Sequence, residues 1–186
     1  PDAKSRQKDV DATHTKKHGK SCFAYKLSVS VDHKHGFIRG VATGTASEYD
    51  GHHFDEVLDI YNTGKTVSAD KGYVSRRRSQ MLCVLGFKDD IQRKAKKKQP
   101  LSPCQEKRNQ RIAKKRAKVE HVFASIGHMG GKFVRCIGQA RASATMTLMA
   151  ACYNIKRLAS FLDRGVDSFF KPAPSKRQLR VQAAKG

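Results

Sequence analysis

Between Cys22 and Val31 the chain alternates: Phe23, Tyr25, Leu27, Val29 and Val31 are separated by Ala24, Lys26, Ser28 and Ser30. A period of two sustained that long puts the apolar residues on one side of a strand, a pattern no amphipathic helix produces. Asp32-His33-Lys34-His35-Gly36 then reads as a turn and 37–43 as a second strand, so the two form an antiparallel hairpin. A hairpin alone is marginal in water. Whatever covers its apolar face must come from later in the chain.

The later segments alternate helix and strand. Ser47-Glu48-Tyr49-Asp50 has the composition of a helix start, with Ser47 as cap and acids near the positive end of the dipole. Phe54, Val57, Leu58 and Tyr61 give that helix a stripe, and Asn62-Thr63-Gly64 ends it. Thr66-Val67-Ser68-Ala69 reads as a short strand stopping at Asp70, followed by a glycine turn at Lys71-Gly72-Tyr73. A basic helix over 75–85 turns Met81, Leu82 and Leu85 inward, Gly86 closes it, and 87–92 reads as another strand.

A long helix covers 102–126. At roughly 100° per residue, Ile112, Val119, Phe123 and Ile126 share a core arc, while Lys107, Arg111, Lys114, Lys115 and Lys118 fall opposite. His128-Met129-Gly130-Gly131 breaks it, and a last helix over 140–162 carries the stripe Leu148, Cys152, Ile155, Ala159 and Leu162. This order specifies an α/β fold. Residues 1–20 read as an irregular basic lead-in, 21–163 as one folded domain, and 164–186 as a basic disordered tail.

Charge narrows the partner. Lys and Arg number 38 against 16 Asp and Glu, a formal net charge of +22. Such a field favours polyanions. No apolar run approaches the length that spans a bilayer, which leaves nucleic acid ahead of membrane. The five cysteines include no Cys-x-x-Cys pair, which argues against a zinc site or a disulfide framework and suggests a reducing compartment. His33, His35, His52 and His53 stand in polar turns and read as solvated. The run Arg93, Lys94, Lys96, Lys97, Lys98 adjoins Arg111, Lys114, Lys115 and Lys118, and together they make a surface able to track phosphates.

Two acids stand apart from this basic background. Asp70 sits at a strand end, where α/β folds place ligands and metals, although turn formation or helix capping is the ordinary use of such an Asp. Glu120 lies at the rim of the long helix between small neighbours Ala113, Ala117 and Ala124, with Arg116 one turn earlier and able to reach it. A plain surface ion pair is the alternative for those two. Paired carboxylates can hold Mg²⁺ together with substrate phosphate oxygens.

These residues resemble the catalytic domain of DDE-type transposases of bacterial insertion sequences. The matching pieces are Thr15-Lys16-Lys17, Gly19-Lys20-Ser21, Tyr25-Lys26, Val31-Asp32, Ala46 to Asp50, Ala69-Asp70-Lys71-Gly72-Tyr73, Pro100-Leu101, Arg116 to Phe123, and Tyr153-Asn154-Ile155-Lys156-Arg157. The resemblance spans nearly all of 9–163, and the blocks around Asp70 and Glu120 carry its specificity. It implies an RNase H-like mixed sheet flanked by helices, with Asp70 as second acid of a triad and Glu120 as third. It further implies Mg²⁺ or Mn²⁺, two ions in a complete site, and double-stranded DNA as partner, both element ends and target. A homo-oligomer working on paired ends, in the bacterial cytoplasm at the nucleoid, completes the picture. Arg116 matches the arginine of the family's Tyr-x2-Arg-x3-Glu-x6-Lys signature, but Ala113 stands where Tyr is expected and Gly127 where Lys is expected.

The family's first acid lies on the first, central strand. Asp11-Ala12-Thr13 imitates its local text, yet no apolar strand precedes Asp11. The expectation is that this central strand is missing and its Asp lies upstream of Pro1, with Asp11 as the alternative. The leading functional reading is thus metal-dependent DNA cleavage and strand transfer. A non-catalytic DNA-binding remnant is the second, and an RNA-binding protein resting on charge alone is the third.

Overall fold

The computed structural model describes residues 8–17, 19–96 and 99–164, with only the backbone of Lys17 and Lys20. Five strands form two sheets: β1 (Thr13–Lys17), β2 (Lys20–Val31) and β3 (Ile38–Thr45) in one, β4 (Thr66–Ala69) and β5 (Lys88–Ile91) in the other. The α-helices among the described residues are α1 (Phe54–Val57), α2 (Arg76–Val84), α3 (Pro103–Ile126) and α4 (Gln139–Leu162). The chain is α/β, as its pattern requires, but the ladders make two separate sheets rather than one mixed sheet. Residues up to Asn154 form one compact unit, and the last turns of α4 belong to a second.

The alternating segment is β2. Leu27, Val29 and Val31 pack against a core of Ile38, Val122, Ile126 and Ala150, so α3 and α4 cover the hairpin's apolar face. The turn closes through Asp32 N–H to Phe37 O at 2.7 Å and Gly36 N–H to Asp32 O at 2.9 Å, with Gly36 at φ 76° where a side chain would be strained. Phe23 departs from the pattern: it is 71% exposed, and its ring meets His14 edge-on. That end of β2 extends past the core and pairs with β1, a strand inside the segment expected to be irregular. β1 is polar (Thr-His-Thr-Lys-Lys) and is held by its ladder, which is why it leaves no apolar signature. Beyond Ala24, where β1's pairing stops, that edge of β2 has no strand neighbour among the described strands.

The helix expected from Ser47 is shorter. A 3₁₀ turn (Asp50–His53) leads into the single turn of α1, and the chain becomes extended at Leu58. Ser47 caps nothing; its N–H donates to Thr13 Oγ1 at 2.8 Å. After Val57 the chain is drawn along β3 by the Arg39–Asp59 pair at 2.6 Å, and Tyr61 is left exposed. His53 is not solvated but buried, held by Glu48 at 2.9 Å on Nε2 and Glu56 at 3.3 Å on Nδ1.

β4 and β5 run parallel, joined through α2 in the usual crossover manner. Phe54, Leu82, Phe87 and Ile91 form the second core cluster, while Leu85, expected inward, lies at the surface because the helix ends there. Two acids fit inside β5 because each has a partner. Asp89 accepts from Ser79 Oγ at 2.6 Å, and Asp90 pairs with Lys115 at 2.7 Å. Burial alone would raise the Asp90 carboxyl; Lys115, with Arg108 and Lys88, outweighs it and holds the group below its ordinary value.

α3 begins at a capping box, Ser102 Oγ accepting from Gln105 N–H and Gln105 answering to Ser102 N–H. Its buried residues are Ile112, Val122 and Ile126, whereas Phe123 is 40% exposed. The core arc is therefore turned toward Val122, where the β2–β3 sheet meets the helix. α4 shows a larger rotation. Ala142, Met146 and Ala150 are buried, and the expected stripe of Leu148, Cys152, Ile155, Ala159 and Leu162 is exposed. Asn154 bonds both N–H and O of Ile38 at 2.9 Å and ties the helix to the start of β3. No described helix is long and apolar enough to cross a membrane.

Candidate functional site

Asp70 follows the last residue of β4 and starts a 3₁₀ turn, Lys71–Tyr73. Its Oδ1 accepts the Lys71 N–H at 2.6 Å, and the Tyr73 N–H returns to its carbonyl at 3.0 Å. The other oxygen, Oδ2, faces Arg116 Nη1 at 3.9 Å, an ion-pair distance rather than a hydrogen bond. The Asp70 side chain is 43% exposed. Its lone pairs are thus only partly used, and the group opens to solvent at the end of a strand fixed by its ladder.

The turn after Asp70 is held from behind. The Tyr49 hydroxyl donates to Gly72 O. Arg78, from the first turn of α2, donates to Tyr73 O at 2.9 Å and Gly51 O at 2.6 Å, and lies over the Phe54 ring at 5.3 Å. The Tyr73 ring packs on Phe54, and burial raises its phenol above the ordinary value. None of these supports was read from sequence, because they join segments far apart in the chain.

Glu120 sits on exposed surface of α3, one helical turn beyond Arg116. The expected Arg116–Glu120 pair does not form: Arg116 turns to Asp70, and the Glu120 carboxylate has no hydrogen bond or ion pair among the described residues. Beside this corner lies a cavity of about 250 Å³ between the two sheets, walled by residues 27–31 of β2, 66–69 of β4 with Asp70, and Arg116, Val119 and Phe123 of α3. Ser30, one of its walls, carries the only buried side-chain polar atom without a partner among the described residues.

The basic surface divides in two. Lys115 is committed to Asp90, and Lys118 donates to His33 O at 2.5 Å. Burial of His33, reinforced by Lys118 and Lys115, lowers its imidazole below the ordinary value, while Asp32 opposes them. Arg111 and Lys114 are exposed, as are Arg93, Lys94 and Lys96. Lys97 and Lys98 lie outside the described residues.

Asp11 is elsewhere. Its Oδ2 accepts the Gln139 N–H at 2.9 Å, at the first residue of α4. Asp9 accepts four donors: Tyr25 OH at 2.7 Å, the Asp11 and Ala12 N–H groups at 3.1 Å, and the Gly138 N–H at 3.2 Å. Both acids therefore serve the start of α4, where helix N–H groups lack internal partners. Among the described residues no group of three or more His, Cys, Asp or Glu comes together to hold a metal ion. What the Asp70 corner offers is hard carboxylate oxygen, the donor type that suits Mg²⁺ with water and phosphate completing its shell.

Comparison with known proteins shows the family. Residues 2–155 match the transposase DDE domain family. The chain is 33% identical over 157 residues to the transposase for insertion sequence element IS1106 of Neisseria meningitidis serogroup B, covering 83% of this chain and 54% of that protein. It thus spans about half the length of this curated relative. No solved structure matches it. With its family match covering most of its length, the chain belongs to the DDE transposases of insertion sequences.

Proposed function

We propose that this chain carries the catalytic corner of a transposase that cuts DNA at the ends of an insertion sequence and joins the freed 3′-hydroxyl to target DNA. The observation that carries the reading is the half-open Asp70 carboxylate beside Arg116, on the helix that bears Glu120 one turn further on. In this reading Asp70 and Glu120 hold Mg²⁺ or Mn²⁺, and Arg116 steadies Asp70 without saturating it. Bound metal would activate the attacking oxygen and stabilise the leaving one, two ions serving a complete site. Exposed Arg111 and Lys114 on α3, with Arg93, Lys94 and Lys96, grip the phosphate backbone, whereas Lys115 and Lys118 contribute mainly to the fold. The partners are element ends and target DNA in the bacterial cytoplasm, engaged by a homo-oligomer.

We also read the two sheets as parts of one RNase H-like mixed sheet with a strand to be added between β2 and β4. Three features support it: the cavity with a strand on either side, the unpaired edge of β2 beyond Ala24, and the unpartnered Ser30 hydroxyl. Such a strand would bring the first acid beside Asp70, a place that Asp11, engaged at α4, does not occupy.

The test is metal-dependent cleavage of a duplex carrying an element end by the intact protein. Asp70→Asn and Glu120→Gln are each expected to reduce it to background, because an amide replaces an anionic metal ligand. If both variants cleave as well as the parent, the catalytic reading is wrong and a DNA-binding remnant remains.

A further inference from the structure

We propose that Tyr49 and Arg78 are positioning residues that fix the direction of the Asp70 carboxylate by gripping the carbonyls of the turn behind it. The inference rests on Asp70 being a metal ligand.

The direction of a carboxylate at a strand end is set by the backbone that follows. Here that backbone has little to hold it: the Tyr73 N–H bonds Asp70 O at 3.0 Å, and the Val74 N–H reaches Lys71 O only at 3.4 Å. Lys71 and Gly72 are exposed, and a Cβ at Gly72 would meet nothing within 4 Å. Packing therefore holds the turn only at Tyr73, whose ring lies on Phe54. The remaining hold is on two carbonyls, Gly72 O taken by the Tyr49 hydroxyl and Tyr73 O by Arg78.

Both grips come from one body. Arg78 donates with its other terminal nitrogen to Gly51 O at 2.6 Å, two residues after Tyr49. The planar guanidinium suits this bridge between two carbonyls, which a lysine ammonium reproduces poorly. Its location is otherwise unfavourable, since a cation in the first turn of a helix faces the positive end of the dipole. Gly51 is equally telling. A Cβ there would collide with Arg78 Nη2 and with the Tyr49 ring, so the missing side chain is what lets both groups reach the turn. The body is tied to the hairpin by Lys26, which pairs with Asp50 at 2.9 Å and donates to Glu48 O at 2.7 Å. A rigid antiparallel sheet thus sets the aim of an acid on the other sheet.

The test measures Mn²⁺ binding to the full chain through paramagnetic broadening of the Lys71 and Gly72 amide signals, alongside thermal unfolding. Asp70→Asn should abolish the broadening. Arg78→Met should weaken Mn²⁺ affinity about tenfold, within the range seen when groups supporting a metal ligand are removed. Tyr49→Phe, which deletes one hydroxyl, should weaken it by a smaller factor, and Arg78→Lys should recover little of the loss. Gly51→Ala should act like Arg78→Met by displacing both grips, and together with Tyr49→Phe it keeps the proposal falsifiable if Arg78→Met fails to fold. Unchanged Mn²⁺ affinity in Tyr49→Phe and Gly51→Ala, with binding lost in Asp70→Asn, overturns the clamp and leaves the Asp70 reading standing. Undiminished binding in Asp70→Asn overturns both.

Discussion

Asp9 and Asp11 lie at the start of α4, and Asp70 lies at the end of β4; all three are short carboxylates at the mouth of a secondary-structure element, yet their lone pairs are spent differently. Asp9 takes four donors and Asp11 one from the helix start. Asp70 takes one N–H and leaves its second oxygen 3.9 Å from a guanidinium. Saturated by backbone and phenol, Asp9 is part of the fold, and Asp11 spends its one bond on the first N–H of α4. Asp70 retains capacity for a ligand. What separates Asp9 from Asp70 is the count of donors already aimed at each carboxylate, not the residue type.

The comparison breaks most decisively through exchange of effects. Asp70→Asn should remove metal-dependent cleavage and Mn²⁺ binding while leaving the thermal midpoint close to that of the parent, since only one short N–H bond is altered. Asp9→Asn should do the reverse: a lower midpoint by several degrees, with Mn²⁺ broadening at Lys71 and Gly72 intact. Loss of Mn²⁺ binding in Asp9→Asn, in a chain still folded, would mean the two acids share a site and would erase the distinction.

A smaller effect appears in acid. The Tyr25 hydroxyl, then the Gly138, Ala12 and Asp11 N–H groups, hold the Asp9 carboxyl below its ordinary value against the opposing pull of burial. A depressed carboxylate stabilises the fold above its unfolded pKa and loses that contribution as pH falls through the folded value. The stability slope below about pH 4 should therefore be shallower in Asp9→Asn than in the parent. It should not vanish, because Glu48, Asp59 and Asp90 are also held low. Parallel acid curves for parent and variant would show that Asp9 is not engaged as described.

How much of this was legible in sequence depends on what fixes each element. β2 was legible because burial of one face writes a period of two, and Leu27, Val29 and Val31 do face the core. β1 was not, because a polar strand held by its ladder writes nothing. α4 misled because the bulkier stripe, ending in Leu162, stays outside while Ala142, Met146 and Ala150 go in; which face meets the core is set by tertiary packing, not by apolar bulk alone. His53 depends on glutamates three and five positions away converging from opposite sides, which turn composition does not disclose. At the site, the strand end bearing Asp70 was readable. The partner of Arg116 was not: helical spacing pointed to Glu120, and a tertiary contact across to β4 took the guanidinium instead.

Tyr25→Phe gives the finest cut. Tyr25 donates to Asp9 Oδ1 at 2.7 Å, and burial first, then Asp9, raises its phenol well above the ordinary value. A raised phenol stabilises the fold below its unfolded pKa and loses that contribution as pH climbs toward the folded one. The variant keeps the ring and removes only the hydroxyl, so three backbone donors remain on Asp9. Its thermal midpoint should fall less than that of Asp9→Asn, and its stability should decline less steeply above about pH 10. Carboxyl ¹³C shifts would follow Asp9 directly, with its titration moving upward toward the ordinary carboxylate range. An unmoved Asp9 titration in Tyr25→Phe would assign the hold to the backbone alone, leaving an acid fixed by three N–H groups opposite one, Asp70, fixed by a single N–H.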